Sequence, residues 1–185
     1  MAVVSNDSAG APRLGGDVLV TAWRAVQSLD PGTSTRDDRA GINAVVREHG
    51  HAEIARAMIL LLSALLDVLA EDVAREPGEQ ADATDAASDD ALSVVFPPLM
   101  RQLRRRFPEL ASGSLPMIAG VLTAALTGQD AVAWRDEFGA PDQPELASLT
   151  CLLWLVRDFF DAATGKGQAD AMIAEIFEAD QLQPR

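Results

Sequence analysis

The sequence predicts an all-α protein, a single helical bundle of about seven to eight helices around a central buried helix at residues 51–75. Apolar residues recur at spacings of three and four along most of the chain, which is the periodicity of amphipathic helices. No alternating run of apolar and polar residues reaches strand length. Hydrophobic residues are 48% of the 185 and charged residues 23%, so the chain suits one globular domain with a sizeable core.

The central helix is predicted from the stretch HAEIARAMILLLSALLDVLAEDVAR at residues 51–75. At about 100° per residue, seven side chains fall within roughly one third of the helical circle: Glu53, Arg56, Leu60, Ser63, Asp67, Glu71 and Arg75. The rest of the helix is apolar, so we expect other helices to pack around it. A membrane span is the alternative, but the apolar run between Arg56 and Asp67 has ten residues, about half of what a span requires.

The chain before this helix is predicted to contain a disordered tail at residues 1–15 and two shorter helices. The first helix begins at Asp17, as the N-cap residue, and ends near Leu29. The second begins near Thr35 and ends at His49, where Gly50 supplies a left-handed cap.

Residues 76–90 contain no large apolar side chain, so they cannot bury enough surface to offset the entropy of ordering. We expect an exposed acidic loop there, inside one helical domain at residues 16–182. A leucine and phenylalanine stripe at residues 92–107 follows, and its helix begins or kinks at Pro97 and Pro98.

Four more helices are predicted beyond this stripe. One begins at Ser114, and the small residues along one of its sides predict close packing against another helix. A short helix ends at Gly139. A capping box at residues 142–145 then starts a strongly apolar helix at 146–163, and a last amphipathic helix begins at residue 169.

Nearly half of the formal net charge of −13 lies in residues 76–90, which carry six acidic and no basic side chains. Such a charge repels nucleic acid and anionic membrane surfaces, so neither is an expected partner. Cys151 is the only cysteine, which excludes an intramolecular disulfide and a cysteine-based zinc site. The first ten residues lack the basic start and apolar core of a signal peptide, so we expect a cytoplasmic protein.

The weak candidates for a metal site are His49, His51 and Glu53. Glu48 and His51 have the Glu-x-x-His spacing of di-iron carboxylate bundles, but the chain has no further histidine for the second motif that such a site needs. Because Gly50 indicates a helix end, we expect His49 to interact with the last carbonyl groups of its helix instead. A metal-dependent enzyme using Glu48, His51 and Glu53 is the remotest alternative, and we expect no cofactor.

The one basic cluster is Arg101, Arg104, Arg105 and Arg106. The first three lie opposite the leucine stripe of their helix and are therefore candidates for binding a partner. Guanidinium groups suit an acidic or phosphate-bearing partner because their fork geometry matches both anions. The alternative is a solvated helix face, because exposed charges usually contribute little beyond solubility.

No catalytic set is visible: Cys151 is predicted to be a buried inert thiol, and neither a glycine-rich phosphate loop nor a Gly-x-Ser-x-Gly motif is present. The sequence therefore favours a non-catalytic protein that acts through protein–protein interaction or homo-oligomerisation. A homodimer is the simplest form, with the C-terminal helix or the small-residue helix at the contact.

The alternative function is a small-ligand-binding or sensor bundle. Its apolar pocket would lie between the central helix and the helix at residues 146–163. The candidate pocket residues are Met58, Leu62, Leu65, Trp154 and Phe159.

Overall fold

The computed structural model describes residues 15–29, 35–74, 85–108, 110 and 112–182. These residues form eight α-helices and no β-strand, which confirms the all-α class. The helices are α1 (Gly16–Gln27), α2 (Thr35–His49), α3 (His51–Ala74), α4 (Asp85–Arg106), α5 (Leu115–Leu126), α6 (Ala131–Asp136), α7 (Gln143–Thr164) and α8 (Gln168–Leu182).

Helix α3 contacts most of the other helices. It packs against α1, α2, α4, α5, α6 and α7, and most extensively against α7. Most of its described apolar side chains are buried, whereas Leu60 is 43% exposed on the outward strip with Asp67 and Glu71. No helix among the described residues is long and apolar enough to cross a membrane.

Glycine ends the second helix where the sequence predicts it. Gly50 has a φ of 83°, and its N–H donates a hydrogen bond to the carbonyl of Val46 at 2.8 Å. Glycine is favoured there because it adopts positive φ without steric cost. Helix α1 begins at Gly16 with Gly15 at the N-cap position, so Asp17 lies in the first turn instead of capping the helix.

The helix after the acidic segment starts earlier than predicted. Helix α4 begins at Asp85, so residues 85–90 are helical and not part of a loop. It also continues through Pro97 and Pro98. Burial of Val95, Leu99 and Leu103 on one side explains how the helix persists despite the proline pair. Residues 1–14 and 75–84 lie outside the described residues, so the disordered tail and the exposed loop stay predictions.

The two faces expected at a dimer contact find packing partners within the chain. A Cβ atom on Gly120, on the small-residue side of α5, would overlap the Trp134 indole from α6. This contact confirms the predicted close packing. Ile173 of α8 is fully buried, and Phe177 packs partly buried against the same core. These faces are therefore weaker candidates for a dimer contact than the sequence suggested.

Candidate partner-binding site

Three arginines project into solvent from the C-terminal half of α4. Arg101, Arg104 and Arg105 are all exposed, and we call them the arginine face. Leu99 and Leu103 on the opposite side of the helix are 1% and 0% exposed, as the stripe predicts. Core burial of these leucines fixes which side of α4 carries the arginines.

The arginine face differs from four other arginines of the bundle, although Arg24 on α1 is likewise exposed and without a hydrogen-bond or ion-pair partner among the described residues. Four arginines form ion pairs with carboxylates; the pairs are Arg56 with Glu53 and Asp136, Arg106 with Asp158, Arg135 with Glu145, and Arg157 with Asp170. Within the described part of the chain, no side chain or backbone group hydrogen-bonds or ion-pairs with the arginine face. Its three charges are therefore available to an external anion.

A groove accompanies these charges. It has a volume of about 290 Å³, and Pro98, Arg101, Gln102 and Arg105 line it. Val94, one turn before Pro98, is 52% exposed on the same side of the helix. Cationic, amide and apolar groups thus stand side by side, which suits a partner segment that carries both a carboxylate and an apolar side chain.

The C-terminal end of α4 is anchored to α7. Arg106 donates to an Asp158 oxygen at 2.9 Å, and its guanidinium lies 5.2 Å from the centroid of the Trp154 ring. Phe107 meets the same Trp154 ring edge-on, with 6.0 Å between the ring centroids. The arginine face is consequently displayed on a helix whose end is held in place.

A second exposed feature was not predicted from the sequence. Phe138, which falls within the predicted short helix ending at Gly139, lies beyond the end of α6 and is 55% exposed. Residues 137–140 are all exposed, and we call them the Phe138 turn. The only signal available in the sequence was Gly139, which directly follows Phe138. In the structure Gly139 has a φ of 84°, which marks the turn.

The Phe138 turn is braced from three sides. Buried Arg135 makes a bidentate ion pair with Glu145 of α7 and also donates to the carbonyl of Gly139. Asp136 binds Arg56 of α3 at 2.9 Å. Trp134, seated against α5, contacts Phe138 with 4.8 Å between the ring centroids.

Asp170 joins three helices at the other end of the chain. It accepts hydrogen bonds from Trp23 and Gln27 of α1 and from Arg157 of α7, at 3.1, 2.8 and 2.6 Å. Burial alone would raise the pKa of Asp170, but these donors and the charge of Arg157 outweigh burial and hold the pKa below its ordinary value. This network fastens α8 to α1 and α7.

The weak metal candidates are not assembled into a ligand cluster. Among the described residues, no group of three or more His, Cys, Asp and Glu side chains could hold a metal ion. Glu53 forms an ion pair with Arg56. The His49 Nε2 atom lies 3.9 Å from a Glu48 carboxylate oxygen and is buried without a hydrogen-bond partner, so this atom bonds to no helix carbonyl.

The five pocket candidates lie in different settings. Met58, Leu62 and Leu65 are core side chains, at most 1% exposed. Trp154 and Phe159 are partly buried and five residues apart on α7, so they point about 140° away from each other around the helix. None of the five lines the groove on α4. The apolar ligand pocket stays a prediction.

No known family model matches this chain, and neither a curated protein nor a solved structure matches it.

Proposed function

We propose that this chain is a non-catalytic helical protein that acts by binding a protein surface, most simply that of another copy of itself, through the arginine face of α4. The observation that carries the proposal is that Arg101, Arg104 and Arg105 are exposed and have no hydrogen-bond or ion-pair partner among the described residues. Arginine at such positions suits a partner carboxylate, because the guanidinium can donate two parallel hydrogen bonds.

The surrounding charge supports a protein partner. The chain carries −13 overall, so the arginine face is a local exception in an acidic molecule. Nucleic acid would meet a repulsive field over the rest of the surface, which makes it a poor partner. A folded protein with an acidic patch can bind the arginine face while its remaining surface stays in solvent.

A cytoplasmic location forms part of the proposal. Cys151 is the one cysteine, and it is buried in α7. A chain without disulfides suits a reducing compartment.

The proposal is tested by sedimentation velocity on purified protein at low and high salt. The double variant Arg101→Glu and Arg105→Glu reverses two charges of the arginine face. Lys166→Glu, in the exposed turn between α7 and α8, makes the same kind of change away from it and serves as the control.

We expect the wild type and the Lys166→Glu variant to self-associate and the double variant to sediment as a monomer. Added salt should weaken the wild-type association, because it screens charges at an interface rim. Self-association that survives both the double substitution and high salt would remove the arginine face from the proposal.

A further inference from the structure

We propose that the arginine face and its groove receive the Phe138 turn of a second copy of this chain. This inference rests on the proposed function and names the surface that binds to α4. Phe138 would enter beside Pro98, and Glu137 would face Arg105. The contact joins two unlike surfaces, so a two-fold dimer would contain it twice.

Charge complementarity is the first argument. Residues 130–142 carry exposed carboxylates at Asp130, Asp136, Glu137 and Asp142, whereas their one basic side chain, Arg135, is buried against Glu145. Asp130 and Asp142 accept helix N-cap hydrogen bonds, and Asp136 binds Arg56. Glu137, next to Phe138, has no ion pair among the described residues. A carboxylate without a partner therefore adjoins Phe138, and unpartnered guanidinium groups line the groove.

The aromatic ring is the second argument. Phe138 is the most exposed of the three large apolar side chains that reach solvent in the described part of the chain, at 55%, and Val94 beside the groove follows at 52%. A ring placed between Pro98 and the guanidinium groups would gain apolar burial from the proline and cation–π attraction from the arginines. One contact would thus cover Phe138 and Val94, the two most exposed of these side chains.

Rigidity is the third argument. The Phe138 turn is held by Arg135, Asp136 and Trp134, each bound to a different helix. An exposed aromatic side chain on a braced turn loses little freedom on binding, as is typical of the residues that dominate an interface. Helices α4 and α6 also both pack against α5, so the two surfaces belong to neighbouring parts of the fold.

The test uses two full-length charge-reversal variants, Arg105→Glu and Glu137→Arg, studied separately and as a mixture with one of them fluorescently labelled. Each variant alone would place like charges opposite each other, so we expect its self-association to weaken by about ten-fold or more. In the mixture, the glutamate introduced into the groove of the first variant meets the arginine introduced into the turn of the second, and the remaining contact is the wild-type pair. We therefore expect the mixture to associate about as tightly as the wild type.

Two further variants complete the test. Phe138→Ser should weaken self-association of the full-length chain, whereas Lys166→Glu should not. Circular dichroism on each variant shows that it is folded, and rescue on mixing cannot come from an unfolded chain.

The outcomes separate the two proposals. If Arg105→Glu weakens association while Glu137→Arg and Phe138→Ser leave it unchanged, the Phe138 turn is not the partner surface and the arginine face stands. If no variant weakens association, both proposals fail. A wild-type chain that stays monomeric at its highest soluble concentration also overturns both, and weakening of the two charge variants without rescue in the mixture overturns the pairing.

Discussion

The buried ion pair between Arg135 and Glu145 allows a sharp test of the fold. Arg135 is 2% exposed and Glu145 is 8% exposed. The guanidinium donates to both carboxylate oxygens, with Nη2 lying 2.8 Å from Oε2. Replacing Glu145 with Gln keeps the size of the side chain but leaves the Arg135 charge buried and unbalanced.

We expect Glu145→Gln to lower the free energy of unfolding by about 3–5 kcal/mol, the range for breaking a buried pair by removing one partner. For a chain of this length, that corresponds to a fall of about 6–20 °C in Tm. The double variant Arg135→Met with Glu145→Leu should lie close to the wild type, because an apolar pair removes both charges at once.

The matched control is Asp158→Asn, which breaks the pair with Arg106. Those side chains are 51% and 38% exposed, so solvent screens the interaction and we expect a loss of about 0.2–1 kcal/mol. Urea denaturation followed by circular dichroism measures the free energy of unfolding of the wild type, the two Glu145 variants and Asp158→Asn. Equal losses for the Glu145 and Asp158 variants would show that burial of the Arg135–Glu145 pair does not have the consequence argued above.

Three further predictions concern packing and pH. Gly120→Ala should destabilise the fold by about 1–3 kcal/mol, because the new methyl group overlaps Trp134; a gain in Tm, as helix propensity alone predicts, would contradict the contact. Leu62→Ala should cost about 2–5 kcal/mol, whereas Asp67→Asn should change stability by about 0.5 kcal/mol or less and in the favourable direction. Partial burial and the charge of Glu71 raise the pKa of Asp67, so its ionised form disfavours the fold at neutral pH. Urea titrations measure the stability of both variants, and equal destabilisation by Leu62→Ala and Asp67→Asn would mean that the helix faces are assigned wrongly. The folded-state pKa of Asp170 lies below its ordinary value, so ionised Asp170 stabilises the fold. This contribution to the free energy of unfolding should be lost as the pH falls through about 3.9 and below. In an acid titration, the stability of Asp170→Asn should fall less steeply over that pH range than the stability of the wild type. An equal slope for the two proteins would argue against the Asp170 network.

The helices and their ends could largely be read from the sequence. The predicted second helix and α2 have the same bounds, and α3 covers residues 51–74 of the predicted 51–75. Both results follow from local causes, because helical periodicity and a glycine cap depend only on residues close together in the chain. The start of α4 was missed for a local reason too, since residues 85–91 have no large apolar side chain to show the periodicity.

The capping box shows where local reasoning stops. Asp142 accepts a hydrogen bond from the Glu145 N–H at 2.8 Å, as the motif predicts. The Glu145 side chain binds Arg135, ten residues earlier, and so does not serve the box. A capping glutamate and a glutamate in an ion pair look the same in the sequence, because the choice depends on which cation the fold brings near.

The candidate site divides in the same way. The sequence by itself determined that α4 turns arginines outward, because a leucine stripe on one side of a helix places the opposite side in solvent. Only the tertiary structure decided that Arg106 binds Asp158 while Arg101, Arg104 and Arg105 have no described partner. It also decided that Trp134 seats against α5 and leaves Phe138 exposed. The physical reason is that ion pairs and side-chain burial depend on contacts between distant parts of the chain, whereas the direction of a helix face depends on the helix alone.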